Sequence, residues 1–139
     1  MKKNYTLDCA YEHGFVVLAI NSHSKAYKLC WNLNQSLGLN FEMTNDHKIR
    51  EIGGFTRYKS EDKEGGEFNI LSNRSKNGYM ISSQKSVNYF LIINKDNWEA
   101  EKEMLLIKLR AIKDILLVFE LSLETEKNTD RLIIYDKKN

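Results

Sequence analysis

The sequence predicts an α+β protein, a mostly antiparallel sheet with two main helices. Two segments repeat apolar residues at helical steps, and several short segments are β-branched or alternate in polarity. These come in the order strand, helix, several strands, helix, strand. That order favours a ferredoxin-like or ACT-like fold, a split β-α-β unit used twice with an elaborated middle hairpin. A profilin-like or longin-like sheet is the runner-up. Strand order separates the two, and the sequence does not contain it.

Residues 15–20, Phe-Val-Val-Leu-Ala-Ile, read as a short buried strand. Residues 24–37 form the first expected helix. Ala26, Leu29, Cys30, Leu33 and Leu37 make one apolar stripe, with Tyr27 and Trp31 on its flank. Ser22 or Ser24 is the expected cap, and Gly38 the expected stop. Residues 40–54 carry no clear period. Strands are expected at 55–60, 67–72, 79–82 and 87–93, the last covered on both faces because it lacks alternation. The second helix is expected at 97–112, with Asp96 and Glu99 at capping-box spacing and Trp98, Leu105, Leu109 and Ile112 facing inward. A strand at 115–121 follows, pointing Ile115, Leu117, Phe119 and Leu121 one way. Residues 132–135 are a last short strand or a docked tail, and residues 4–9 are a candidate edge strand.

The chain has 139 residues, which fits a single domain over 1–139 with short flexible ends at 1–3 and 136–139. Apolar residues make up 42% and charged residues 29%, with a net charge of +2. A chain of this size hides about 70% of its unfolded surface, so the core forms without staples. The near-neutral charge argues against a protein built around nucleic acid. Cys9 and Cys30 lack a C-x-x-C spacing and read as reduced thiols in a cytoplasmic protein. Asn4, Thr6 and Asp8 interrupt any apolar leader after Lys2 and Lys3, and no apolar run approaches the ~20 residues that span a bilayer.

Residues 81–89, Ile-Ser-Ser-Gln-Lys-Ser-Val-Asn-Tyr, resemble the signature of a small bacterial family named for its IPExxxVDY motif. Ile81, Val87 and Tyr89 match it. Ser82 stands where the family has Pro, Ser83 where it has Glu, and Asn88 where it has Asp. Residues 27–34, Tyr-Lys-Leu-Cys-Trp-Asn-Leu-Asn, are similar to the family's helix, and the resemblance runs over roughly residues 4–135. It implies a bacterial, intracellular protein and brings no activity, cofactor or catalytic residue with it. The departures remove both acids of the signature. Ser83 and Asn88 can still cap a turn, and the expected role of the segment is structural.

The remaining constellations are sparse. His13, His23 and His47 lack metal-ligand spacing, so no metal site is expected. Neither a nucleophile motif nor a P-loop is present, and Gly53-Gly54 and Gly65-Gly66 read as turns. Glu61, Asp62 and Glu64 read as a solvated hairpin tip. Phe55, Arg57, Tyr58 and Lys59 put aromatic and basic residues on one strand, as base-stacking strands do, without matching that motif. The sequence therefore points to a non-catalytic interaction or regulatory module without a cofactor, its protein partner unidentified. Tyr27, Trp31, Phe55, Arg57 and Tyr58 are the candidate contacts, and self-association as a homodimer through a sheet edge or an aromatic helix face is one expected mode. The alternative is an enzyme or small-ligand binder with a site assembled from His23, Tyr27, Arg57 and Asn88. Weak nucleic-acid binding ranks below both, and no membrane partner is expected.

Overall fold

The computed structural model of the chain describes residues 15–134. The candidate edge strand at 4–9, Cys9 and His13 lie outside them. β1 (Phe15–Ser22) leads into helix α1 (Ala26–Leu37), and β2 (Glu42–Met43) follows. A hairpin of β3 (His47–Ile49) and β4 (Gly53–Phe55) leads to the long hairpin of β5 (Arg57–Glu61) and β6 (Glu67–Ser72). A minor hairpin, β7 (Arg74–Ser75) with β8 (Gly78–Tyr79), comes before β9 (Tyr89–Asn94), helix α2 (Trp98–Arg110) and β10 (Ile115–Glu120).

Six strands form one sheet in the order β10-β1-β9-β6-β5-β2, and every neighbouring pair is antiparallel. The fold is α+β. β9 lies between β1 and β6, and β1 lies between β9 and β10. The order β10-β1-β9-β6 therefore interleaves two β-α-β units, and β5 and β2 extend the sheet beyond β6.

Both faces of this sheet are covered. On one, α1 and α2 bury Leu29, Leu33, Leu106 and Leu109 against Leu18, Ile20, Ile70, Leu91 and Ile93. On the other, β3–β4, the 81–89 segment and the tail at 129–134 bury Ile49, Phe55, Ile81 and Leu132 against Val17, Ala19, Leu71, Phe90 and Ile92. This double cover explains why β1 and β9 show no polar alternation: each successive side chain enters one core or the other. Residues 40–54, which show no period, make β2 and the β3–β4 cover.

Several expectations change in detail. α1 starts at Ala26 with Lys25 as its extended cap and no side-chain cap bond. Ser22 Oγ instead accepts the Ser24 N–H at 3.2 Å, closing the turn before the helix. Gly38 ends α1 as expected. It is left-handed at φ 67°, and its N–H bonds to Asn34 O. The capping box of α2 does not form, because Asn97 is the cap and makes no side-chain bond. Leu106, rather than Leu105, is the buried residue of that turn, and Leu105 is half-buried.

β10 departs furthest. Its pairing with β1 slips between Asn21 and Ser22: Asn21 pairs with Leu117 and Ser22 with Ile115, so Leu116 has no opposite number. A bulge of this kind resets the alternation. Ile115 therefore joins Val118 on the helix side, while Leu117, Phe119 and Leu121 keep the other face, Leu117 exposed and Phe119 half-buried.

Candidate functional site

The 81–89 segment is a tightly held connection. Ile81 and Val87 are buried in the core beneath it, Ser82–Gln84 form one turn of 3-10 helix, and Tyr89 opens β9. Tyr89 points the other way, into the helix-side core, so it does not share a face with Val87 as period two would require. The reason is local: Val87 N–H bonds back to Gln84 O, and the strand begins only after it.

Asn73 fixes this connection. It is fully buried, just after β6. Its Nδ2 donates to Gln84 O at 2.8 Å and to Val87 O at 3.0 Å, while its Oδ1 accepts the Ile81 N–H at 2.9 Å. One side chain thus satisfies three backbone groups of a buried loop, which would otherwise cost free energy. Asn73 falls between the strands expected at 67–72 and 79–82, where nothing local marks it.

The remaining motif positions also have structural partners. Asn88 Oδ1 accepts the Ser22 N–H at 2.7 Å, joining the segment to the end of β1. The Tyr89 hydroxyl donates to Ser24 O at 2.6 Å, at the approach to α1, and burial pushes its pKa up. Ser83 Oγ and Gln84 Nε2 hold the two oxygens of Glu126. Ser82 is exposed at the surface of the turn.

The five candidate contact residues divide. Tyr27 and Trp31 are 65% and 59% exposed on the outer face of α1. Phe55, Arg57 and Tyr58 are buried, which corrects their reading as a surface. Phe55 belongs to the core under the loops and Tyr58 to the core under the helices. Arg57 Nε donates to Asn69 Oδ1 at 2.9 Å inside the protein. A strand whose aromatic rings are buried has no free face on which bases could stack. The missing signal was the second covering layer, which decides whether a strand residue meets solvent.

His23, Tyr27, Arg57 and Asn88 line no shared groove among those found in the described residues. His23 and Tyr27 are exposed, while Arg57 and Asn88 bond to structural partners. A groove of about 710 Å³ lies elsewhere, between the C-terminal end of α1, the β5–β6 turn and the N-terminal half of α2, and none of those four residues lines it. Phe68, Ile93 and Trp98 contribute its apolar lining, and Lys95 lies at its edge.

Lys95 is mostly buried. It contacts Asp62 by a short charged hydrogen bond, Glu64 at 3.2 Å and Glu101 at 3.3 Å. Asp62 also accepts the Glu64 N–H at 3.0 Å and the Gly66 N–H at 2.7 Å. The expected solvated tip is therefore a clamp tying the β5–β6 turn to α2. Its hydrogen bond to Asp62 raises the Lys95 pKa, and Lys95 in turn lowers that of Asp62. A Cβ at Gly66 would lie 2.8 Å from Asp62 Oδ2, so a side chain there would have to displace the carboxylate that Lys95 holds.

Cys30 is a buried thiol, and burial pushes its pKa up to about 12. Among the described residues, no three of His, Cys, Asp and Glu are grouped to hold a metal ion, and no helix is long and apolar enough to cross a membrane. No family model and no curated protein matches the chain.

Proposed function

We propose that this chain is a non-catalytic interaction module that binds a protein partner through the outer face of α1. One observation carries the reading: Tyr27 and Trp31, four residues apart and so on neighbouring turns, stand largely in solvent on a helix whose inner face is packed core. Tyr and Trp are the side chains most often central to binding energy. Lys25 and Lys28 flank them, and the helix contains no acidic residue. An aromatic and basic face of this kind suits an acidic segment carrying an apolar anchor. The involvement of the motif residues in backbone bonding supports a structural role for 81–89. The resemblance to the IPExxxVDY family, and with it a bacterial cytoplasmic setting, stands as part of this proposal.

The experiment is capture from the native host by the wild-type chain and by Tyr27→Ser/Trp31→Ser, with hydrogen exchange of the captured complex. The expected result is a partner retained by the wild type alone, with protection concentrated in residues 26–37. A partner retained equally by both, or protection elsewhere, overturns the reading.

The groove beside Lys95 favours a second reading, a small-ligand binder, because its volume lies in the range of ligand sites. A ligand that raises the melting temperature of the wild type, and does so less when Leu105 at the groove is changed to Arg, supports that reading.

A further inference from the structure

β10 and α2 carry an inference that uses no part of the α1 face. β10 ends the sheet, and no described strand pairs with its outer side. It is six residues long and contains no Pro, Lys or Arg, and Leu116 and Leu117 are 61% and 52% exposed. The opposite edge, β2, is two residues long. The bulge at Leu116 guards only the start of the strand, and an apolar edge that runs on without Pro, Lys or Arg is a template for pairing with another chain.

α2 lies over this edge, and the ion pair of Lys102 with Glu120 at 2.9 Å fixes the register between them. One flank of α2, with Glu101, Met104 and Lys108, lines the groove toward α1. At about 100° per residue the opposite flank, on the β10 side, holds Glu103 and Arg110, two turns apart and both exposed. Ile107, 58% exposed, lies beside them. Charge is segregated along the helix, with Glu99 and Glu101 in the first turn and Lys108 and Arg110 in the last.

We propose that two copies of this chain associate about a two-fold axis, pairing β10 with β10 antiparallel and setting the two α2 helices side by side. Two-fold symmetry makes α2 antiparallel to its mate, so Glu103 faces Arg110 of the partner subunit, and Arg110 faces Glu103 of the partner subunit. A translational contact would instead set like charge against like.

The same axis serves the strands. The midpoint between Glu103 and Arg110 lies about 7 Å along the helix from Lys102. From Glu120 that distance is about two strand residues, which reaches Val118. An axis through Val118 places Leu117 opposite Phe119 of the partner subunit, on the face where Leu117 is now exposed. Helix charges and strand edge thus call for one symmetry element, and the interface is isologous as closed dimers require.

Sedimentation equilibrium of the full chain over a range of concentrations tests this, with Glu103→Arg, Arg110→Glu, the double exchange, and Leu117→Lys. The wild type is expected to dimerise. Each single reversal should raise the dissociation constant about tenfold, by turning two attractions into two repulsions. The double exchange should restore it, and Leu117→Lys should leave monomer. All three positions are exposed, so circular dichroism melts at dilute concentration should match the wild type. A wild type that stays monomeric at every concentration overturns the proposal. So does a dimer indifferent to the single reversals, or a double exchange weaker than either single. Tyr27→Ser/Trp31→Ser should dimerise like the wild type, which separates failure here from failure of the α1 reading.

Discussion

The two faces of the central sheet are covered in different ways. One is roofed by helices, whose stripes of Leu29, Cys30 and Leu33 and of Leu106 and Leu109 need only pack. The other is roofed by short hairpins and connections, whose backbone groups have few ladder partners. Side chains stand in for those partners: Asn73 for the 81–87 loop, Asn88 for the end of β1, Arg131 Nη1 donating to Met80 O at 2.9 Å, and His47 Nε2 at 2.6 Å from Arg131 O. A helix satisfies its own backbone, whereas a loop layer over a core needs specific polar side chains at fixed places. The helix side is therefore held mainly by volume, and the loop side by volume and hydrogen bonds together.

The largest expected effect asks whether both roofs carry core in earnest. Leu33→Ala under the helices should cost about 2–5 kcal/mol, and Phe55→Ala under the loops about 3–5 kcal/mol, read from urea unfolding. A cost below about 1 kcal/mol for Phe55→Ala, the level of tolerated swaps, would make the loop layer a loose cover and break the comparison.

Next is the hydrogen-bond half of the argument. Asn73→Ala removes little volume but strands the Ile81 N–H and the carbonyls of Gln84 and Val87. The expected cost is about 3 kcal/mol. Native-state hydrogen exchange should show the Ile81 amide losing protection more than the amides of α1. A uniform loss would mean that Asn73 matters only to global stability.

The same contrast sets what the sequence could reveal. Leu29 and Leu33 on α1 and the unbroken run of β9 were legible, because periodicity records which side of an element is covered. Glu67–Ser72 was placed to the residue. The exposure of Tyr27 and Trp31 agrees with their place on the flank of the α1 stripe. Phe55, Arg57 and Tyr58 were misread because a strand residue's exposure depends on a layer distant in sequence. Asn73 was passed over because an Asn before a turn looks the same whether its amide meets water or three backbone groups. Ile115 was misplaced because one unpaired residue, Leu116, reverses the alternation before Leu117, and a bulge has no compositional mark. The Lys95–Asp62 clamp joins residues 33 apart, beyond any local pattern.

That clamp gives the helix side an electrostatic component, and pH sharpens the comparison. Lys95→Met should cost about 2 kcal/mol near neutrality. The sign follows from the two shifts. Asp62 sits below its ordinary value of 3.8 when folded, so its contribution is present above that pH and fades as pH falls through the lowered pKa. Lys95 sits above its ordinary 10.5, so its contribution is whole below that pH and fades as pH rises through the raised pKa. The stability gap between wild type and Lys95→Met should therefore be widest between those values and close on both sides. The gap for Asn73→Ala, made of neutral groups, should stay flat over the same range. Urea unfolding at stepped pH checks both, and a flat Lys95 gap would remove the clamp from the account.

The smallest effects fall on the motif segment, where the substitutions that would restore the signature can be ranked one at a time. Ser82 opens a 3-10 turn after Ile81, which is extended at φ −119° and ψ 95°, a conformation that tolerates a following proline. Among the described residues, no hydrogen bond uses the Ser82 N–H. Ser82→Pro should therefore stabilise by about 0.4–1 kcal/mol, through a less flexible unfolded chain. Asn88→Asp keeps the acceptor for the Ser22 N–H and should change stability by less than about 0.5 kcal/mol. Ser83→Glu differs in sign: it loses the hydroxyl held by Glu126 and sets a second carboxylate beside it. That change should destabilise by up to about 1 kcal/mol, and Glu126→Gln should relieve it. Thermal melts of the three single variants, and of Ser83→Glu with Glu126→Gln, check the order. If Ser83→Glu instead stabilises the chain, Glu126 is not the neighbour that sets this position. The loop roof would then be held at its rim by something other than the Ser83 and Gln84 contacts to Glu126.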